Sequence, residues 1–246
     1  MDPRLSPGRR IIIALDVENK EKGLELVKEL AEAGIFKVGL ELFTAEGPAL
    51  LKDIQALGKR VFLDLKLHDI PNTVAEAVRA GVRHGVHMMT IHASGGLEMM
   101  AKAAEVARAE SEKRGVEKPL LLGVTILTSL KNEELGSIGM VPDTSAQVQR
   151  LAALARKAGM DGIVCSAREI ELVRKEVGPD CLVVTPGIRP SWAAAQDQKR
   201  IMTPAEAVKK GADYLVIGRP ITQASSPKEA FFRIAEELEA HGNATD

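Results

Sequence analysis

Charge of either sign is not in excess: 33 Lys and Arg against 34 Asp and Glu leave a formal net charge of −1. That balance offers nucleic acid no basic face. Long hydrophobic runs are missing too, and nothing approaches the roughly 20 apolar residues of a membrane-spanning helix. The opening stretch, MDPRLSPGRR, lacks the apolar core of a secretory signal. Cysteine is scarce. Cys165 and Cys181 are the only two, each inside an apolar, strand-like run. Neither has the spacing or the histidine partners of a metal site, so both read as reduced core thiols, and the expected setting is the cytoplasm.

What is present is ordinary soluble composition, 45% hydrophobic and 27% charged, over 246 residues. That length suits two small domains or one barrel-sized domain. Residues 1–10 read as a loose arm. From residue 11 to 246 one pattern recurs eight times: a short apolar strand, a loop, an amphipathic helix, and often a glycine stop. The expected strands are Ile11–Asp16, Phe36–Leu40, Val61–Lys66, His87–His92, Leu120–Thr125, Gly162–Ser166, Cys181–Thr185 and Tyr214–Gly218. Their β-branched, leucine-rich texture is that of a parallel sheet buried on both faces.

Punctuation between the strands marks the helices. Thr73-x-x-Glu76, Ser166-x-x-Glu169, Thr203-x-x-Glu206 and Ser226-x-x-Glu229 fit the capping box, and Pro204 and Pro227 fit the first helical position. Val74, Ala77, Val78, Gly81 and Val82 form one apolar stripe; Leu24, Val27, Leu30 and Ala31 form another. Helix stops are expected at Gly34, Gly58, Gly85, Gly115, Gly159, Gly178 and Gly211. Eight units of about 30 residues with no linker predict an α/β fold, a single-domain (β/α)8 TIM barrel.

Chemistry on this fold sits at the C-terminal strand ends. Those ends carry Asp16, Lys37, Asp64, Lys66 and His92, then Thr128 shortly after strand five, Gly187-Ile188-Arg189 after strand seven, and Gly218-Arg219 after strand eight. The third strand region, VFLDLKLHDIPNTV from residue 61 to 74, is the centre of the pattern. Its odd positions, Val61, Leu63, Leu65 and Leu67, are apolar, while the even ones pass from Phe62 to Asp64, Lys66 and His68. Asp69 follows the strand, and Pro71 rules out further central pairing. If Asp16 and Lys37 point inward, Ile11, Ile13 and Leu15, and likewise Phe36, Val38 and Leu40, face outward to the helices. Three neighbouring strands then aim charge at one barrel mouth.

Lys37, Asp64, Lys66 and Asp69 alternate in sign, so ion pairing can offset the cost of burying them. Flanking carboxylates favour the ammonium form of Lys66, which suits a general acid beside a carbanion and not a Schiff-base lysine. Asp64 and Asp69 would repel a substrate carboxylate until it leaves as CO2. Gly187 and Gly218 let backbone N–H groups approach an anion, and Arg189 and Arg219 can grip a phosphate. The loop Gly187–Met202 is long enough for a lid, and Gln198 is its member expected to reach the ligand. His92 reads as a barrel-lining residue satisfied by hydrogen bonds, and His68 as a neighbour of the charge network. Trp192 reads as a cover or an exposed loop residue, and Met88, Met89, Met99 and Met100 as core.

Asp64-x-Lys66-x-x-Asp69-Ile70-Pro71-Asn72-Thr73, Thr185-Pro-Gly-Ile-Arg189, Asp197-Gln-x-Arg-Ile-Met-Thr-Pro204 and Gly218-Arg219 together resemble the bacterial-type orotidine 5′-phosphate decarboxylases. The likeness runs over nearly the whole chain, in order and at compatible spacing. The Asp-x-Lys-x-x-Asp element alone resembles the 3-hexulose-6-phosphate synthases as well; the His-Asp-Ile-Pro-Asn-Thr extension and the DQ-R-IMTP block favour the decarboxylases. The resemblance implies that Lys66 protonates C6 of the pyrimidine, that Asp64 sits beside the leaving carboxylate, and that Lys37 binds ribose and pairs with Asp64. It assigns ribose to Asp16, the pyrimidine edge to Thr128 (or to the adjacent Ser129), and a bridge between base and phosphate to Gln198. Arg189, Gly218 and Arg219 would hold the phosphate. Asp69, Ile70 and Thr73 would enter the neighbouring subunit's site in an obligate homodimer. The expected partner is a small nucleotide, with no metal, organic cofactor, nucleic acid or membrane. The alternatives are a magnesium-dependent sugar-phosphate aldolase of the 3-hexulose-6-phosphate synthase type, a Schiff-base aldolase, and a non-catalytic sensor of a phosphorylated metabolite.

Overall fold

The structure is a computed structural model that describes residues 7–193 and 202–242. Eight strands close a barrel in sequence order: β1 (Ile11–Ala14), β2 (Ile35–Gly39), β3 (Arg60–Leu67), β4 (Met88–His92), β5 (Leu120–Val124), β6 (Gly162–Val164), β7 (Leu182–Pro186) and β8 (Tyr214–Ile217). Helices alternate with the strands, so the architecture is the TIM barrel read from the repeat. Every expected strand is present, with ends displaced by at most two residues. Among the described residues no helix is long and apolar enough to cross a membrane.

Two compact halves make up the chain, residues 1–64 with 185–246, and residues 65–184. In the first, β1 lies between β2 and β8, with Ala14 opposite Lys37 and Ile13 opposite both Phe36 and Ile217. Ile11, Ile12 and Ile13 are wholly buried, as a parallel strand covered on both faces requires. The helix Lys20–Glu29 starts where the Asn19 side chain accepts from the Lys22 amide at 3.0 Å. Residues 7–10 are not loose. They form a 3-10 helix in which the buried Arg10 donates to the Asp213 carbonyl.

In the second half, β4, β5 and β6 pair in register, with Thr90 opposite Leu122 and Gly123 opposite Ile163. Met88, Met89, Met99 and Met100 are core, as expected. Gly81, on the helix Pro71–Arg83, leaves space that Met89 fills: an added Cβ there would collide with the Met89 sulfur. The helix Leu97–Arg114 runs beside Pro71–Arg83 and ends on Gly115 in the left-handed conformation, φ 64°.

Several local expectations need correcting. Thr73 caps nothing, because the helix already begins at Pro71 with Ile70 as N-cap, and Arg79 takes the Glu76 carboxylate. Ser166 and Glu169 do bond to each other, but one turn ahead of the helix Ile170–Val177. Thr203 and Glu206 form the full reciprocal box at Pro204–Lys209. At Ser226 only the Glu229 amide bond is present, at 3.4 Å. Ala75 is buried in place of Ala77, and Gly23 in place of Ala31. Leu40 does not face the helices either. It opens the helix Leu40–Glu46 and is 57% exposed. Gly34 shows no positive φ, since the helix before it has already stopped at Leu30.

Candidate active site

The first half holds a buried ammonium between two carboxylates. Lys37 Nζ lies 3.0 Å from Asp16 Oδ1 and 3.7 Å from Asp64 Oδ2. Lys37 is 8% exposed and Asp64 9%, so water barely reaches either side chain. Mutual pairing is what makes that burial tolerable. Asp16, by contrast, is exposed and lies two residues beyond the end of β1. Strand geometry sets the arrangement: Ala14 is level with Lys37 across β1 and β2, and Gly39 is level with Asp64 across β2 and β3.

Two glycines shape this cluster. A Cβ on Gly39 would stand 2.9 Å from Lys37 Nζ and 3.7 Å from Asp16 Oδ1. One on Gly218 would stand 3.5 Å from Asp16 Oδ2. Gly39 escaped the reading of the sequence; its signal was a glycine closing an apolar strand, which marks close approach by another group. Beyond β7, Gly187 has φ 76° and is exposed, Ile188 is buried, and Arg189 is half-buried with its amide donating to the Met202 carbonyl at 3.1 Å. That bond ties the ends of the loop together. Gln198 falls among residues 194–201, outside the described residues. Arg219 is exposed at the start of the short helix Arg219–Thr222. Trp192 is half-buried, its ring covered by the Arg233 guanidinium at 4.8 Å.

The second half takes over at Leu65. Lys66 is half-buried, and its amide donates to Thr90 Oγ1 at 2.9 Å. Thr90 is a second residue that the sequence reading passed over, although a threonine inside the apolar run of β4 was a visible signal. His68 and His92 have ring centroids 5.6 Å apart, the first exposed and the second half-buried. Asp69 is exposed, and its carboxylate accepts from the Ile70 amide at 2.7 Å. Ile70 is 67% exposed, and Thr73, Thr128 and Ser129 are exposed as well. The structure thus joins Asp16, Lys37 and Asp64 in one ion chain. Lys66 follows Asp64 by two residues on β3.

Comparison with known proteins points one way. The orotidine 5′-phosphate decarboxylase / HUMPS family matches residues 9–234. The chain is 53% identical over 232 residues to the orotidine 5′-phosphate decarboxylase of Trichlorobacter lovleyi, covering 94% of this chain and 95% of that protein. It is 50% identical over 238 residues to the enzyme of the same name from Moorella thermoacetica, covering 96% and 94%. Among solved structures, the orotidine 5′-phosphate decarboxylase of Lactobacillus acidophilus is similar with a TM-score of 0.84 and 37% identity, covering 94% of this chain and 99% of that one.

Proposed function

The chain belongs to the orotidine 5′-phosphate decarboxylase / HUMPS family, and from that premise we propose that it converts orotidine 5′-phosphate to uridine 5′-phosphate and CO2 in de novo pyrimidine biosynthesis. It is then a carboxy-lyase. The observation that carries the reading is the Asp16–Lys37–Asp64 ion chain, with Lys66 two residues after Asp64 in the sequence.

In this mechanism the bond between C6 and the carboxylate breaks, its electron pair stays on C6, and CO2 departs. Lys66 then transfers a proton from Nζ to C6, and its positive charge stabilises the carbanion as it forms. Asp64 stands beside the departing carboxylate. Repulsion there raises the energy of the bound substrate and vanishes with the charge. Lys37, fixed by its two carboxylates, binds a ribose hydroxyl together with Asp16. Thr128 contacts the pyrimidine edge, and Arg189, Gly218 and Arg219 hold the phosphate. Gln198 bridges base and phosphate. Binding energy from the phosphate end is used at the reacting carbon.

Asp69, Ile70 and Thr73 complete the partner's site in a homodimer. Support comes from their exposure in the single chain, above all from a 67% exposed isoleucine directly after an acid. The mechanism calls for no metal or organic cofactor. Residues 11–246 form the catalytic domain, preceded by an arm over residues 1–10. A cytoplasmic location is supported by two buried cysteines that are not joined in a disulfide.

Ultraviolet absorbance of orotidine 5′-phosphate mixed with purified protein in excess EDTA tests the proposal. Loss of the orotate chromophore with release of CO2 is the expected result. An unchanged spectrum with the nucleotide bound would overturn it.

A further inference from the structure

Lys66 is the one non-glycine residue with a positive φ among the described residues, at 50°. It also lies within a strand, β3, where a parallel ladder would set φ near −120°. For a residue with a Cβ the left-handed conformation is unfavourable, and it persists only where the surroundings impose it. A rotation of roughly 170° from the strand value re-aims everything attached to that Cα.

The imposing group is Thr90. The Lys66 amide donates to Thr90 Oγ1 at 2.9 Å. Thr90 is 1% exposed, in the middle of β4, with its backbone fixed in register against Leu122 of β5. A β-branched side chain in such a place has little χ1 freedom, so its oxygen is a rigid acceptor. An amide left without an acceptor is costly.

We propose that Thr90 is a positioning residue: its hydroxyl oxygen captures the Lys66 amide and holds the Lys66 backbone left-handed, the conformation from which the ammonium is presented to the reacting carbon. This rests on the reading of Lys66 as general acid. Thr90 itself need not touch the substrate, and a hydrophobic isostere should be enough to expose its role.

The experiment compares Thr90→Val with Thr90→Ser in two measurements. In crystal structures of the two variants, Lys66 should leave the left-handed region in Thr90→Val and keep it in Thr90→Ser. In steady-state decarboxylation, Thr90→Val should lose at least tenfold in kcat with KM within twofold of the parent, and Thr90→Ser should recover most of the loss. A generally damaged barrel would instead raise KM, because the phosphate and ribose contacts would go with it. Lys66 remaining near φ 50° in Thr90→Val overturns the inference even if the parent protein decarboxylates nothing, so the two readings fail separately. Parent-like kcat in Thr90→Val overturns it as well. If the valine protein does not fold, Thr90→Ala carries the same two measurements.

Discussion

Gly39 matters for what it leaves empty. A methyl group there would lie 2.9 Å from Lys37 Nζ, closer than real Cβ contacts allow, and the flexible lysine tip is what would yield. Gly39→Ala should therefore leave thermal stability nearly unchanged. Its kcat/KM should fall by about tenfold or more, within the roughly 10²-fold that a displacement of about 1 Å can cost. A Tm measurement with steady-state kinetics checks this; parent-like kinetics would count against a functional Lys37. For Lys66→Ala the expected loss in kcat is about 10²–10⁴-fold, the range of general acid–base catalysis. Near-normal turnover would end the general-acid assignment.

One scale up, the pair of helices Pro71–Arg83 and Leu97–Arg114 is clamped by a buried acid. Glu110 is 2% exposed and receives Arg83 at 2.9 Å and Arg79 at 3.1 Å, with Arg114 at 3.9 Å. The Arg83 hydrogen bond, aided by Arg79 and opposed by desolvation, holds the Glu110 carboxyl below its usual range. A group whose pKa is lower folded than unfolded adds stability above the unfolded value, and that stability is lost as pH falls through the folded value. Parent protein should thus lose stability below about pH 4.5 faster than Glu110→Gln, and the variant should be the less stable of the two at pH 7. Urea unfolding across the acid range is the check, and superimposable curves would refute the clamp. The helix Pro71–Arg83 carries Ile70 as its N-cap, directly after Asp69, at the end opposite the clamp.

For the whole molecule, the test is complementation between subunits. Lys66→Ala and Asp69→Ala should each be inactive alone, for different reasons. Mixed after subunit exchange, they should recover about one quarter of parent activity, because half of the dimers are hybrid and each hybrid restores one of two sites. Verified exchange without recovery would show that Asp69 serves its own chain.

The barrel itself was legible in the sequence, because burying a strand on both faces requires an uninterrupted apolar run, and eight such runs at even spacing leave little choice of fold. Lys37 and Asp64 were legible for a related reason: charge on an apolar strand is too costly to bury without a partner, so the partners announce one another, and the exposed Asp16 ends the same chain of charges. Tertiary structure decided the rest. Thr73 lost its cap to Pro71 because a proline suited to the first helical turn outweighed the hydroxyl pattern. Leu40 went to the surface because β2 stops at Gly39. Neither the role of Gly39 nor the left-handed turn of Lys66 could be read in one dimension. The first depends on a lysine tip brought back over the strand, and the second on a hydroxyl from β4, 24 residues along the chain, arriving within 2.9 Å of one amide. Sequence patterns record which side chains can be buried; only the assembled barrel sets which atoms then meet.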